Sequence, residues 1–162
     1  MDPSGSTYAL RRATSADADA LIALETSAFT GDRLSARSLR RHILSSTATL
    51  VVATRNGALA GYALTFHRAG SRIARLYSIA VDPAHRGQGL AIQLLRDLET
   101  RACKRGCNRL RLEVRTDNTT AIRSYEREGF QVFATTLNYY EDGASALRME
   151  KTLRDSNGKL AA

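Results

Sequence analysis

The chain has 162 residues, enough for one domain with a real core and short for two. Its 24 basic and 16 acidic residues give a formal net charge of +8, and no apolar run is long enough to span a membrane. The polar start shows no secretory pattern, so a cytoplasmic protein is expected. Arginine far outnumbers lysine, with local groups at Arg37/Arg40/Arg41 and Arg68/Arg72/Arg75. No aromatic residues interleave with them as in a platform for single-stranded nucleic acid, whereas a cofactor with several phosphate charges accounts for part of the excess. Cys103 and Cys107 lack further Cys or His residues at zinc-ligand spacing, and His42, His67 and His85 are scattered; no metal site is expected.

In chain order, residues 1–6 read as a loose polar tail and 8–12 as a first strand. Thr14 caps a helix, with Asp17 placed for a capping box and Leu21, Ile22, Leu24 and Phe29 largely on one face. Ser35 caps a second helix that turns Leu39, Ile43 and Leu44 inward and Arg37, Arg40 and Arg41 outward. Strands at 49–55 and 59–67 flank Asn56-Gly57, a hairpin turn whose residues both tolerate positive φ. A strand at 73–81 leads through a glycine-bearing turn into a helix at 89–105, which Gly106 stops. Residues 109–115 alternate, with Leu110, Leu112 and Val114 on one side and Arg111, Glu113 and Arg115 on the other. A short helix at 118–128 ends at Gly129, strands at 130–137 and 146–153 surround the loop 138–143, and 154–162 reads as a second loose tail. The expected architecture is a single α/β domain over residues 7–153, with early hairpins, one central β-α-β crossover and a last strand pair.

The turn at 82–91 is the most informative stretch. Gly87 and Gly89 let backbone N–H groups approach a ligand without a Cβ, the following helix adds the positive end of its dipole, and Arg86 adds a full charge. Such parts suit a phosphate or pyrophosphate, although a plain strand-to-helix turn would look alike. A Walker loop needs Gly-Lys-Ser/Thr where Gly89-Leu90-Ala91 stands, and a dinucleotide fingerprint needs glycine where Ile92 stands.

The order Arg86-x-x-Gly89-x-Ala91 instead resembles the acetyl-coenzyme A pyrophosphate loop of the GNAT acyltransferases. The likeness extends through Ile79-Ala80-Val81-Asp82-Pro83, Leu112-Glu113-Val114-Arg115-Thr116-Asp117-Asn118 and Ala121-Ile122-Arg123-Ser124-Tyr125-Glu126-Arg127-Glu128-Gly129-Phe130, and covers about residues 7–153. It is nearest to the RimI-like branch, whose members acetylate protein N-terminal α-amines. The resemblance implies a mixed, mostly antiparallel sheet, acetyl-CoA as co-substrate, no metal, and a monomer or homodimer. It assigns the pyrophosphate to Arg86, Gly87, Gln88, Gly89, Leu90 and Ala91, and the pantetheine to the strand end Ile79, Ala80 and Val81, with a backbone N–H there available to a developing oxyanion. Asn118 would contact the coenzyme or simply cap its helix.

Tyr125 matches the family tyrosine that protonates the departing thiolate. Its ordinary pKa of about 10 exceeds that of a thiol, about 8.5, so it stays protonated at pH 7 and can serve as the acid; the alternative is an aromatic anchor beside Ile122 and Phe130. Glu113 matches the glutamate that deprotonates the amine, directly or through water, and otherwise would pair with Arg111, Arg115 or a neighbouring arginine. An α-amine makes the smaller demand on such a base, because a lysine needs about 3 kcal/mol more to lose its proton. Tyr139 and Tyr140 resemble a tyrosine pair at the peptide entrance. Ala144-Ser145 stands where peptide-modifying relatives carry an acidic pair, with Glu141 and Asp142 earlier in the loop. That departure keeps a small amine such as a polyamine, amino acid or antibiotic open as the acceptor; a non-catalytic acetyl-CoA- or nucleic-acid-binding module is the third possibility.

Overall fold

In the computed structural model, which describes residues 7–31, 33–155 and 157–160, strand β1 (Ala9–Arg12) precedes helices α1 (Ala18–Ala28) and α2 (Ala36–Leu44). Strands β2 (Ala48–Arg55), β3 (Ala58–Phe66) and β4 (Ile73–Val81) follow, then α3 (Leu90–Lys104), β5 (Arg109–Arg115), α4 (Thr119–Arg127), β6 (Gln131–Thr136) and β7 (Ala146–Thr152). The strands form one seven-stranded sheet in the order β1-β2-β3-β4-β5-β7-β6. The β4–β5 pair is parallel, while β1–β2, β2–β3, β5–β7 and β6–β7 are antiparallel. This is the element order and mixed sheet expected from the sequence. The expected tail at 1–6 lies outside the described residues, as do Ser156, Ala161 and Ala162 of the expected C-terminal tail. Its described part is a closed turn, in which Arg154 bridges Leu160 and the Asp155 carboxylate accepts from the N–H groups of Asn157 and Lys159.

The chain groups into two compact units, and β4 contributes to both. The first holds β1–β3, α1, α2, the end of β4 from Ser78 and most of α3. Its entry into helix is set locally: Thr14 N–H donates to the Asp17 carboxylate at 2.7 Å, completing the capping box, but a 3-10 turn at Ser15–Asp17 precedes α1. Ser35 caps α2 by accepting from Ser38 N–H at 3.1 Å. Asn56 and Gly57 take φ of 53° and 80°, the primed turn that joins β2 to β3. Leu50 and Val52 of β2 lie opposite Leu64 and Tyr62 of β3 and join Leu21 and Leu39 in one apolar cluster. The opposite face is covered by α3: a Cβ on Gly61 would stand 3.2 Å from Leu90, 3.3 Å from Leu94 and 2.8 Å from the Ala80 carbonyl oxygen.

One side chain departs from its expected face. Leu44, placed inward on α2 by the sequence reading, is 79% exposed; the helix ends there, about 100° round from buried Ile43. Glu25, one turn from Leu21 and one from Phe29 on the apolar face of α1, is 3% exposed. Its carboxylate accepts from the Tyr62 hydroxyl and from Leu34 N–H, both at 2.5 Å, and Tyr62 also meets the Ser78 hydroxyl at 3.1 Å. A buried carboxylate is tolerated because both oxygens are bonded.

The second unit holds the start of β4, the end of α3, β5, α4, β6 and β7. Leu110, Leu112 and Val114 of β5 are buried, and Arg111, Glu113 and Arg115 occupy the other face, as the alternation required. Phe130 and Met149 complete this core.

Candidate active site

The glycine turn belongs to the first unit. Asp82 accepts from Ala84 N–H at 2.8 Å and starts a 3-10 turn at Pro83–His85; its own N–H donates to the Ala60 carbonyl. Gly87 and Gly89 take φ of 78° and 77°, and a Cβ on either would meet nothing within 4 Å, so the backbone faces open space. Among the described residues, the N–H groups of Gly89, Leu90, Ala91 and Ile92 have no acceptor, and Arg86 is exposed with no ion pair. Orphaned N–H groups, a 15-residue helix behind them and a nearby guanidinium fit a pyrophosphate. Ile79 and Val81 are half-buried at the end of β4, with Ala80 buried between them.

Two residues without any local sequence signal hold this turn. The Tyr8 hydroxyl lies 2.9 Å from His85 Nδ1 and donates to Gln88 Oε1 at 3.0 Å, and Arg55 Nη2 donates to the same Gln88 oxygen at 3.0 Å. The Arg55 guanidinium lies over the Tyr8 ring, 4.0 Å from its centroid. No local pattern marks Tyr8 or Arg55; the β1–β2 ladder, which pairs Ala9 with Thr54, makes them neighbours.

The remaining candidate residues lie in the second unit. Glu113 has a side chain 10% exposed; one carboxylate oxygen accepts from Arg75 Nε at 3.0 Å and the other faces Arg148 Nε at 3.6 Å. Of the arginines weighed from sequence, Arg111 pairs with Glu150 and Arg115 with Asp117 and Asp142, so the expected ion pair is made by neighbouring arginines instead. Arg75 Nη2 also donates to the Tyr139 hydroxyl at 2.7 Å. Tyr139 and Tyr140 pack edge to face with centroids 4.9 Å apart, and Arg115 lies over the Tyr140 ring at 5.0 Å. Burial, reinforced by Tyr139, pushes the Tyr140 hydroxyl up to about 12. Asp142 accepts from both terminal nitrogens of Arg115, at 2.6 and 3.3 Å, and from Ala144 N–H at 3.0 Å. Asp142 therefore closes the loop, while Glu141 has no ion pair among the described residues.

Tyr125 sits on α4 with its ring edge to face with Phe130, centroids 5.6 Å apart. Its backbone carbonyl ends the helix by accepting from Glu128 and Phe130, whereas its hydroxyl makes no hydrogen bond among the described residues. Burial pushes this phenol above its ordinary value, which keeps it protonated. Asn118 is the N-cap of α4, its oxygen accepting from Ala121 N–H at 3.2 Å. Capping by the oxygen leaves the amide nitrogen as a donor.

A family model described as the Acetyltransferase (GNAT) domain matches residues 12–153. The chain is 36% identical over 151 residues to the N-alpha-acetyltransferase RimI of Mycobacterium tuberculosis, covering 88% of this chain and 90% of that protein. The crystal structure of the ribosomal-protein-S18-alanine N-acetyltransferase from Escherichia coli superposes with a TM-score of 0.81 at 31% identity, over 91% of this chain and 94% of that one. The streptothricin acetyltransferase of Streptomyces lavendulae is 35% identical over 97 residues, 60% of this chain and 51% of that protein. With other curated relatives, the chain spans as little as 39% and 57% of the relative's length. No helix among the described residues is long and apolar enough to cross a membrane.

Proposed function

The chain belongs to the GNAT acetyltransferases, a family that uses acetyl-CoA, and on that premise we propose that it acetylates the N-terminal α-amine of a protein or peptide. The observation that carries the α-amine is the likeness to the mycobacterial RimI along nearly the whole of both chains.

Acetyl-CoA supplies an acetyl group activated as a thioester. In this reading the N–H groups from Gly89 to Ile92 and the Arg86 charge hold the pyrophosphate, the backbone of Ile79 and Val81 bonds the pantetheine amides, and Asn118 Nδ2 adds a donor. Tyr139 and Tyr140 line the approach of the amine. Glu113 takes the amine proton through a water, because Arg75 and Arg148 already engage both its oxygens. The neutral amine nitrogen then bonds the acetyl carbon, the carbon–sulfur bond breaks, Tyr125 gives its proton to the departing thiolate, and the second proton leaving the nitrogen restores the Tyr125 phenol through solvent. The unbonded hydroxyl of Tyr125 supports this role, and burial keeps its proton in place until the thiolate forms.

A small-molecule amine is the second reading. The specific observation behind it is Asp142, which is bound by Arg115 and so does not replace the acidic pair displaced by Ala144-Ser145. The test is an acetyl-CoA turnover screen that sets short peptides of varied first residue against spermidine, free amino acids and streptothricin. Peptides are expected to turn over fastest, with rate depending on the first residue. Turnover of a small amine with no response to any peptide would overturn the α-amine assignment, and no turnover with any amine would overturn catalysis.

A further inference from the structure

We propose that Tyr8 and Arg55 are positioning residues for coenzyme binding, acting by pinning Gln88 in the middle of the pyrophosphate turn. The inference rests on the reading of that turn given above.

Gln88 stands between two glycines whose positive φ values most residues avoid. Such a segment gains the most conformational freedom of any when it is unrestrained, and freezing it on binding lowers affinity. The fold restrains it in advance at one atom. Gln88 Oε1 accepts two hydrogen bonds, one from the Tyr8 hydroxyl and one from Arg55 Nη2, each at 3.0 Å. Because the Tyr8 proton points at Gln88, the hydroxyl serves His85 Nδ1–H as an acceptor, so the same phenol ties the 3-10 turn before the glycines to the residue between them. Tyr8 is itself 5% exposed and covered by Arg55, with its ring edge against His85 at 5.5 Å. These partners lie 33 and 80 residues away from Gln88 in sequence, Arg55 at the end of β2 and Tyr8 just before β1, the two strands at one sheet edge.

With its oxygen held this way, Gln88 turns its amide nitrogen and its backbone N–H to an anion, and the peptide groups that follow it start from a fixed point. The N–H groups from Gly89 to Ile92, which lack acceptors in the protein, are then organised before the ligand arrives. Neither Tyr8 nor Arg55 is assigned a contact with the acetyl group or the amine, so their effect belongs in donor affinity and not in turnover.

Tyr8→Phe removes one hydroxyl and keeps the ring under Arg55. Steady-state kinetics are measured with acetyl-CoA and with S-acetylpantetheine, which carries the thioester arm without the pyrophosphate, alongside thermal unfolding. Wild type is expected to favour acetyl-CoA strongly. Tyr8→Phe is expected to raise KM for acetyl-CoA about 3- to 10-fold at constant kcat and to leave S-acetylpantetheine kinetics in place, as loss of one or two hydrogen bonds predicts. Gln88→Ala should weaken acetyl-CoA similarly, and adding Tyr8→Phe to it should change little more, because both substitutions cut the same bond. Arg55→Lys, which keeps the charge and loses the fork, supplies the same test if Tyr8→Phe does not fold. Equal loss with both donors, full additivity of the two substitutions, or an acetyl-CoA KM that does not move would overturn the proposal. A wild type indifferent to the pyrophosphate would instead overturn the underlying reading of the turn, and the brace with it.

Discussion

In the turn between β4 and α3, N–H groups from Gly89 to Ile92 have no partner among the described residues, and Arg86 has no counter-ion. Around β5 and β7 the situation is reversed. Glu113 is matched by Arg75 and Arg148, Asp142 and Asp117 by Arg115, and Glu150 by Arg109 and Arg111. The first region presents donors and a positive charge without partners. The second has satisfied its own charges, so a ligand there competes with existing pairs or uses the tyrosines between them. The contrast explains why the donor is legible from a short motif while the acceptor is not: a row of orphaned donors specifies an anion, whereas a self-neutralised cluster specifies no ligand charge.

Four experiments would break or sharpen that contrast. The largest effect belongs to Tyr125→Phe, expected to lower kcat by about 100-fold or more with little change in acetyl-CoA affinity, since a general acid contributes roughly that much. Single-turnover kinetics with a thermal unfolding control check it, and an unchanged kcat would return Tyr125 to the role of an anchor for Phe130. Next comes Gly89→Ala. Forcing a Cβ into φ of 77° costs about 1–2 kcal/mol, so acetyl-CoA should bind roughly tenfold more weakly or the protein should melt earlier, as calorimetric titration and unfolding would distinguish.

Smaller effects are expected on the self-paired side. Arg115→Lys gives up the two-point grip on Asp142 and should raise the acceptor KM about 2- to 5-fold while the acetyl-CoA KM stays constant. The smallest concerns pH. The Arg115 guanidinium and the Ala144 N–H hold the Asp142 carboxyl below its ordinary range. The folded protein therefore binds this proton more weakly than the unfolded chain. The pair stabilises the loop above the unfolded pKa of about 3.9 and loses that contribution as pH falls through the folded value. A chemical-shift titration of the Ala144 amide should report the loss, with the Gly89 amide silent over the same range.

Much of the fold was written locally. Thr14 with Asp17, Ser35 and Asn56-Gly57 carry their own turn and cap geometry, and the alternation from Arg109 to Arg115 separates buried from polar faces without further information. The limits of β4 and β5 follow from such signals. What escaped depends on partners distant in the chain. Glu25 goes unremarked because the donor that lets its carboxylate be buried comes from Tyr62, 37 residues later. Leu44 reads as core beside Ile43, although one residue along a helix is about 100° round its axis and here faces away. Glu113 was legible as a carboxylate on a polar face, but its companions Arg75 and Arg148 become neighbours only through the pairing of β5 with β4 and β7. Tyr8 and Arg55 gave no signal for the same reason: neither residue means anything until β1 lies against β2.

Gly61 carries a constraint of a different kind. It has no chemistry and its φ is ordinary, yet a methyl group there would stand 2.8 Å from the carbonyl of Ala80 and against the first turns of α3. Those neighbours are the strand end and the helix start between which the glycine turn is strung. A side chain at 61 acts as a shim: it lifts the helix or displaces the strand, and the turn is respaced in either case. In a saturation scan this position would be as intolerant as the site's own residues, although it touches no substrate.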